Sequence, residues 1–149
     1  MSVPVLTSPG LWNSGPQRWQ TDWEVRHPSF QRVQQRDFEL PDRSEWVANL
    51  EMAATDSATP PVLAAHSLGC SLVAQWAEDC GGQGLLGAFL VAPSDVAHPD
   101  YPHEGRRLPY VTLPPPPFPH HLHPRRDRFP PARDQPAPLR ARRGARMSG

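Results

Sequence analysis

The chain contains no lysine; all fifteen of its basic residues are arginines. Arginine has GC-rich codons and lysine does not, so this set points to a GC-rich gene. Cysteine is scarce as well, with Cys70 and Cys80 alone. A disulfide framework needs more cysteines and usually a secretory context, so both are read as reduced thiols in a cytoplasmic protein. Long apolar runs are missing. The longest, Leu85 to Pro93, falls well short of the roughly 20 residues that cross a bilayer. The segment Met1-Ser2-Val3-Pro4 has no basic n-region, so no signal peptide is expected. These absences speak against a disulfide-stapled domain and against a membrane protein.

What is present falls into two compositions. The chain has 149 residues, enough for one domain with a real core. Its formal net charge of zero hides a split. Residues 1–113 carry seven arginines against thirteen acidic residues, a net of −6, and residues 114–149 carry eight arginines against two aspartates, a net of +6. The second part is rich in proline and arginine and lacks an apolar period. It cannot bury enough surface to offset chain entropy, so residues 114–149 are expected to be a disordered tail on a core of residues 1–113.

Within the core, short β-like runs alternate with amphipathic stretches. Val3 to Thr7 reads as a strand broken by Pro9-Gly10. A helix is expected from Ser14 as N-cap, with Gln17 three residues on as in a capping box, and it should stop before Pro28. Phe30 to Arg36 is a weak strand pattern. Asp42-x-x-Glu45 opens a second helix with Trp46, Leu50 and Ala53 on one side. Val62 to Ala65 is a short apolar strand, Leu68 to Asp79 a third helix, and Leu85 to Ala92 a buried strand. This order predicts an α/β fold: a three-layer α/β/α sandwich on a mostly parallel sheet, with ligands beyond the carboxyl ends of the strands.

Two loops leave strands at that edge. One contains Ala65-His66-Ser67-Leu68-Gly69. A serine nucleophile needs an exposed Oγ and donors for a developing oxyanion. A sharp strand-to-helix turn supplies both, with small residues flanking the serine because the turn is tight. Ala65 and Gly69 are those small residues here. The N–H of Leu68 would be one oxyanion donor, aided by the positive end of the following helix. The other loop, Pro9-Gly10-Leu11-Trp12, would supply the second donor at the N–H of Leu11, with Gly10 letting the chain turn. A competing reading makes Ser67 a simple helix N-cap. His66 adjoins the serine too closely to act as its base and reads as a packing residue.

The run Pro9-Gly10-Leu11-Trp12-Asn13-Ser14-Gly15-Pro16-Gln17-Arg18-Trp19-Gln20 with Trp23, then Arg36-Asp37, Pro41-Asp42, Trp46, the Ser67 turn and Leu90-Val91-Ala92-Pro93, resembles the small α/β hydrolases grouped with retinoblastoma-binding protein 9 and the YdeN-like bacterial proteins. The resemblance covers residues 3 to about 118. It implies a cytosolic serine hydrolase with Ser67 as nucleophile and Leu11 and Leu68 as oxyanion-hole backbones, with substrates poorly defined across the family. The expectation is a small ester-type substrate ahead of an amide or thioester, with no cofactor or metal; the alternative is a non-catalytic, truncated hydrolase-fold protein.

The resemblance also implies an acid on a strand after the proline-rich connector and a base on a later Gly-His segment. Neither motif follows Pro119, so the triad acid and base are left unassigned, and weak or absent activity is expected. Asp95, His98 and His103 are poor substitutes on loops of unknown path. His120-His121-Leu122-His123 could ligate metal, but a disordered segment cannot preorganise ligands. The arginine-rich end has no aromatic platform or nucleic-acid module. Pro114 to Pro117 reads as part of the connector. Sliding the frame forward one base from His120 gives a β-like tract, and the shifted codons of Arg125 and Arg128 permit Asp. The natural reading frame is therefore expected to depart near Phe118 or Pro119, leaving the C-terminal part of the fold missing.

Overall fold

The computed structural model describes residues 2–108 and 118–123. Five strands form one sheet: β1 (Val5–Ser8), β2 (Phe30–Arg32), β3 (Val62–His66), β4 (Gly87–Val91) and β5 (His120–His123). The helices are α1 (Trp19–Arg26), α2 (Arg43–Asp56) and α3 (Leu68–Cys80), with a short 3-10 turn at His103–Arg107. The spatial order is β2-β1-β3-β4-β5 and every pairing is parallel. The fold is α/β, as the alternation predicts.

The order has one reversal. The chain moves one way from β1 to β2 and the other way from β2 through β3 to β4. Right-handed crossovers then place α2 and α3 on one face and α1 on the other. Consistent with this, Arg43 of α2 donates to Gln75 (2.7 Å) and Asp79 (2.8 Å) of α3, and Trp76 of α3 donates to Glu51 of α2 at 2.5 Å. The core is built from Leu50, Leu63, Leu68, Leu72, Val73, Trp46 and Trp76, all essentially buried. The reversal lies between β1 and β3, so the crevice at their carboxyl ends is the natural ligand position.

Local chemistry explains most element ends. The Asp42 carboxylate accepts from the Glu45 N–H at 2.9 Å and caps α2. Gly81 terminates α3 at φ +79°, a left-handed conformation that suits glycine.

Three sequence expectations are corrected. Ser14 does not cap α1, which begins only at Trp19 after a turn closed by Arg18 N–H to Gly15 O. The Ser14 hydroxyl instead donates to buried Gln20 at 2.5 Å, a tertiary bond that outcompetes local capping. The second concerns strand bounds: the strand expected over residues 30–36 stops at Arg32, and the one expected from Leu85 starts at Gly87. The third correction concerns the expected tail. His120–His123 form β5, paired with β4 from Ala88↔His120 to Val91↔His123. Phe118 anchors that strand: it is buried, and its ring lies 6.2 Å from that of Trp76. The Ala88 N–H donates to Pro119 O at 2.9 Å, so the pairing begins before the strand itself. A core boundary at residue 113 therefore leaves a sheet strand on the tail side. Residues 114–117 and 124–149 of the expected tail lie outside the described residues.

Candidate active site

Ser67 joins the end of β3 to the start of α3 with φ +55° and ψ −119°. A non-glycine residue held at positive φ costs about 1–3 kcal/mol, tolerated only where the surroundings over-determine it. Here they do. The Ser67 N–H donates to Val91 O at 3.0 Å, and the Ser67 carbonyl accepts from the Cys70 N–H at 3.0 Å. The Ser67 side chain makes no capping bond to its helix, although it occupies the N-cap position. An ordinary serine cap has extended backbone and an Oγ turned to the helix N–H groups. The geometry therefore differs from a cap and matches a strand-to-helix elbow.

The small residues have a visible steric cause. A Cβ on Gly69 would overlap the Ser8 carbonyl oxygen, because α3 begins directly against the end of β1. Ala65 is fully buried and paired with Ser8. A Cβ on Gly10 would sit 3.0 Å from Leu68 N, 3.1 Å from His66 O and 3.1 Å from Ser67 Cβ. The β1 loop is thus packed directly on the elbow, and Gly10, Ser67 and Leu68 come together.

Beyond Gly10 the loop takes an unusual path. Trp12 and Asn13 lie at φ +66° and +65°. Their N–H groups are engaged, by Phe38 O (2.9 Å) and Gly10 O (3.1 Å). The N–H of Leu11 is not among those loop bonds, while its side chain packs against the core. As the first residue of α3, Leu68 has no carbonyl one turn back to accept its N–H.

A polar clamp holds the loop from behind. Gln20 is fully buried and donates to Ser8 O at 3.1 Å and Ala64 O at 2.9 Å while accepting from Ser14. Arg32 donates to Asn13 Oδ1 (3.0 Å) and Ser14 O (2.8 Å) and pairs with Glu24 at 2.9 Å. Glu24 also accepts from Thr7. Sequence reasoning noted Gln20 only within a motif, because nothing local marks it as a tie between two strands.

The hydroxyls around Ser67 were missed altogether. Ser94 Oγ lies 2.7 Å from Ser67 Oγ, and Tyr101 donates to Ser94 Oγ at 3.0 Å. Both follow β4, in a loop without periodicity that gave no signal. Burial pushes the Tyr101 hydroxyl above its ordinary pKa, opposed by its bonds to Ser94 and Ser67. Asp95 is exposed and accepts from the Ala97 N–H at 3.2 Å, a local turn. His98 Nδ1 accepts from the Asp100 N–H at 3.2 Å, and His103 is exposed on the 3-10 turn. The His66 ring stands edge-on to Trp19 with centroids 6.1 Å apart. Cys70, next to the elbow, is buried, and burial pushes its thiol up to about 12. Among the described residues no cluster of three or more histidine, cysteine or carboxylate side chains could hold a metal. None of the described helices is long and apolar enough to cross a membrane.

The comparisons agree with this geometry. A YdeN-like hydrolase from Pectobacterium atrosepticum, known from a crystal structure, superposes with a TM-score of 0.67 at 26% identity. The match covers 80% of this chain but only 61% of that one, so the chain spans less than two thirds of its structural neighbour. A search of curated proteins finds no match. The sequence model of the serine hydrolase family matches residues 5–124, a span that runs from β1 through β5. The chain belongs to the serine hydrolase family.

Proposed function

We propose that the protein hydrolyses small esters, with Ser67 as nucleophile and the N–H groups of Leu11 and Leu68 as the oxyanion hole. The observation that carries this reading is the Ser67 backbone at φ +55°, pressed between β3 and α3 with Gly10 packed against it. In the first step Ser67 Oγ bonds to the substrate carbonyl carbon and its proton passes to a base. The carbonyl oxygen becomes an oxyanion facing the two N–H groups. Collapse breaks the ester C–O bond, the alcohol leaves with the proton, and water then frees the acid from Ser67. Acid and base are unassigned. Amides and thioesters are less suited. The proposed setting is the cytoplasm, with no cofactor, nucleic acid or membrane partner.

The test is reaction with a fluorophosphonate probe. Wild type is expected to label and Ser67→Ala is not; labelling that survives in Ser67→Ala rules the assignment out.

One observation favours a second reading, a hydrolase-fold protein without activity. The Oγ of Ser67 is hydrogen-bonded to a hydroxyl, Ser94, which is no base at neutral pH. Loss of base and acid leaves only the residual rate from oxyanion hole and binding, several orders of magnitude down. A cooperatively folded wild type that fails to label supports this reading.

A further inference from the structure

Ser94 and Tyr101 converge on Ser67 from beyond β4. Ser94 is 5% exposed and Tyr101 is 6% exposed, so their bonds are shielded from competing water. Tyr101 is held in turn by the 3-10 turn: its ring fills the space where a Cβ on Gly105 would be. The Ser94 Oγ is thus not a mobile surface hydroxyl that meets Ser67 by chance. It is fixed by a buried aromatic residue that is itself wedged in place.

We propose that Ser94 is a positioning residue for the nucleophile, with Tyr101 setting its orientation. The inference rests on Ser67 being the nucleophile. Each hydroxyl has a single proton to give. Tyr101 donates its own to Ser94 Oγ. Ser94 Oγ lies 2.7 Å from Ser67 Oγ, and in the proposed arrangement Ser94 is the donor of that bond. Tyr101 also bonds Ser67, and with Ser94 as donor the Ser67 proton is available to a base rather than to Ser94. The arrangement holds Ser67 Oγ in one rotamer and places a donor on the atom that gains electron density as its proton leaves. A tyrosine hydroxyl is protonated, and so a donor, through the neutral range, and burial pushes the Tyr101 pKa further up. Neither residue serves as the base.

The test compares fluorophosphonate labelling rates and crystal structures. Ser94→Ala is expected to label about tenfold more slowly than wild type, the weight of roughly one hydrogen bond at the reacting atom. Tyr101→Phe should slow labelling by about threefold, because Ser94 remains but loses its orientation. Ser94→Thr retains an Oγ and should restore most of the rate, which a role confined to filling space would not distinguish. In crystals, Ser67 Oγ should occupy one rotamer in wild type and redistribute in Ser94→Ala. An Ser94→Ala protein that labels at the wild-type rate, or that keeps the wild-type Ser67 rotamer, overturns the proposal. Failure of wild type to label, with the rotamer change intact, sinks the nucleophile reading and with it the catalytic role of Ser94, which is then only a structural contact that fixes the Ser67 rotamer.

Discussion

At the scale of single residues, crowding governs the site. Gly69 begins α3 against the Ser8 carbonyl, and nothing larger than hydrogen fits. Gly69→Ala is expected to lower stability by about 1–3 kcal/mol, read by urea unfolding, because the backbone contact cannot relax through a flexible side chain. Gly10 is a gentler case. Its added Cβ would meet atoms at 3.0–3.1 Å, all of them in the elbow. Gly10→Ala should therefore slow fluorophosphonate labelling more than it lowers stability, since it pushes the loop off Ser67, the proposed nucleophile; an unchanged rate would mean the loop takes no part. Gln20 shows the polar side of the same crowding. It is buried with both ends of its amide bonded. Gln20→Leu strands two strand carbonyls and the Ser14 hydroxyl, at a cost of about 1–3 kcal/mol per group left unsatisfied.

At the scale of elements, what the sequence revealed depends on where each signal originates. The Asp42 cap is local, with cause and effect within three positions, and the Ser67 turn with its small neighbours reads as a short motif even though the groups that press on it, Ser8 and Val91, are distant in sequence. The apolar strand at Val62 and the helix after Leu68 were legible for the same reason. Ser14 was misread because its partner, Gln20, is reached through a fold and not along a helix. Strand β5 was invisible because its residues, His120-His121-Leu122-His123, carry neither β-branching nor alternation. All four are exposed; backbone pairing to β4, the Phe118 anchor and stacking of the His121 ring on Phe89 at 5.6 Å hold them, not burial of their side chains. Phe118→Ala should accordingly cost about 3–5 kcal/mol in urea unfolding, the usual range for a buried phenylalanine. A change below about 0.5 kcal/mol, typical of a surface substitution, would mean that Phe118 does not anchor the sheet.

At the scale of the whole molecule, the two thiols report on folding. Cys80 is exposed and Cys70 is buried. Ellman's reagent at pH 8 is expected to titrate one thiol in the native protein and both after unfolding. Burial raises the Cys70 pKa from 9.0 to about 12 in the folded state. That contribution to stability is fully present below the unfolded value and is lost as pH climbs through the interval, so unfolding should ease above pH 9. The span of the chain poses a separate question. It covers 61% of its structural neighbour, and the expected acid and base motifs do not follow Pro119. If the reading frame departs near Phe118, the shifted DNA downstream encodes an Asp-bearing strand and a Gly-His segment. Sequencing that DNA decides the matter; absence of both motifs removes the frame explanation.

The pairing of β1 with β3 has a consequence in time. Ser8 lies beside Ala65, 57 positions later, and the two loops of the site project from these two strands. No local segment can form the site by itself. A chain growing from the ribosome can hold the Gly10 loop against its Arg32 and Phe38 partners, but not against the elbow, until β3 has emerged, and such long-range parallel pairing is among the slower events in folding. Appearance of probe-reactive Ser67 during refolding should therefore lag the helical signal. The site is a late product of assembly, and its arrival marks completion of the central strand pair.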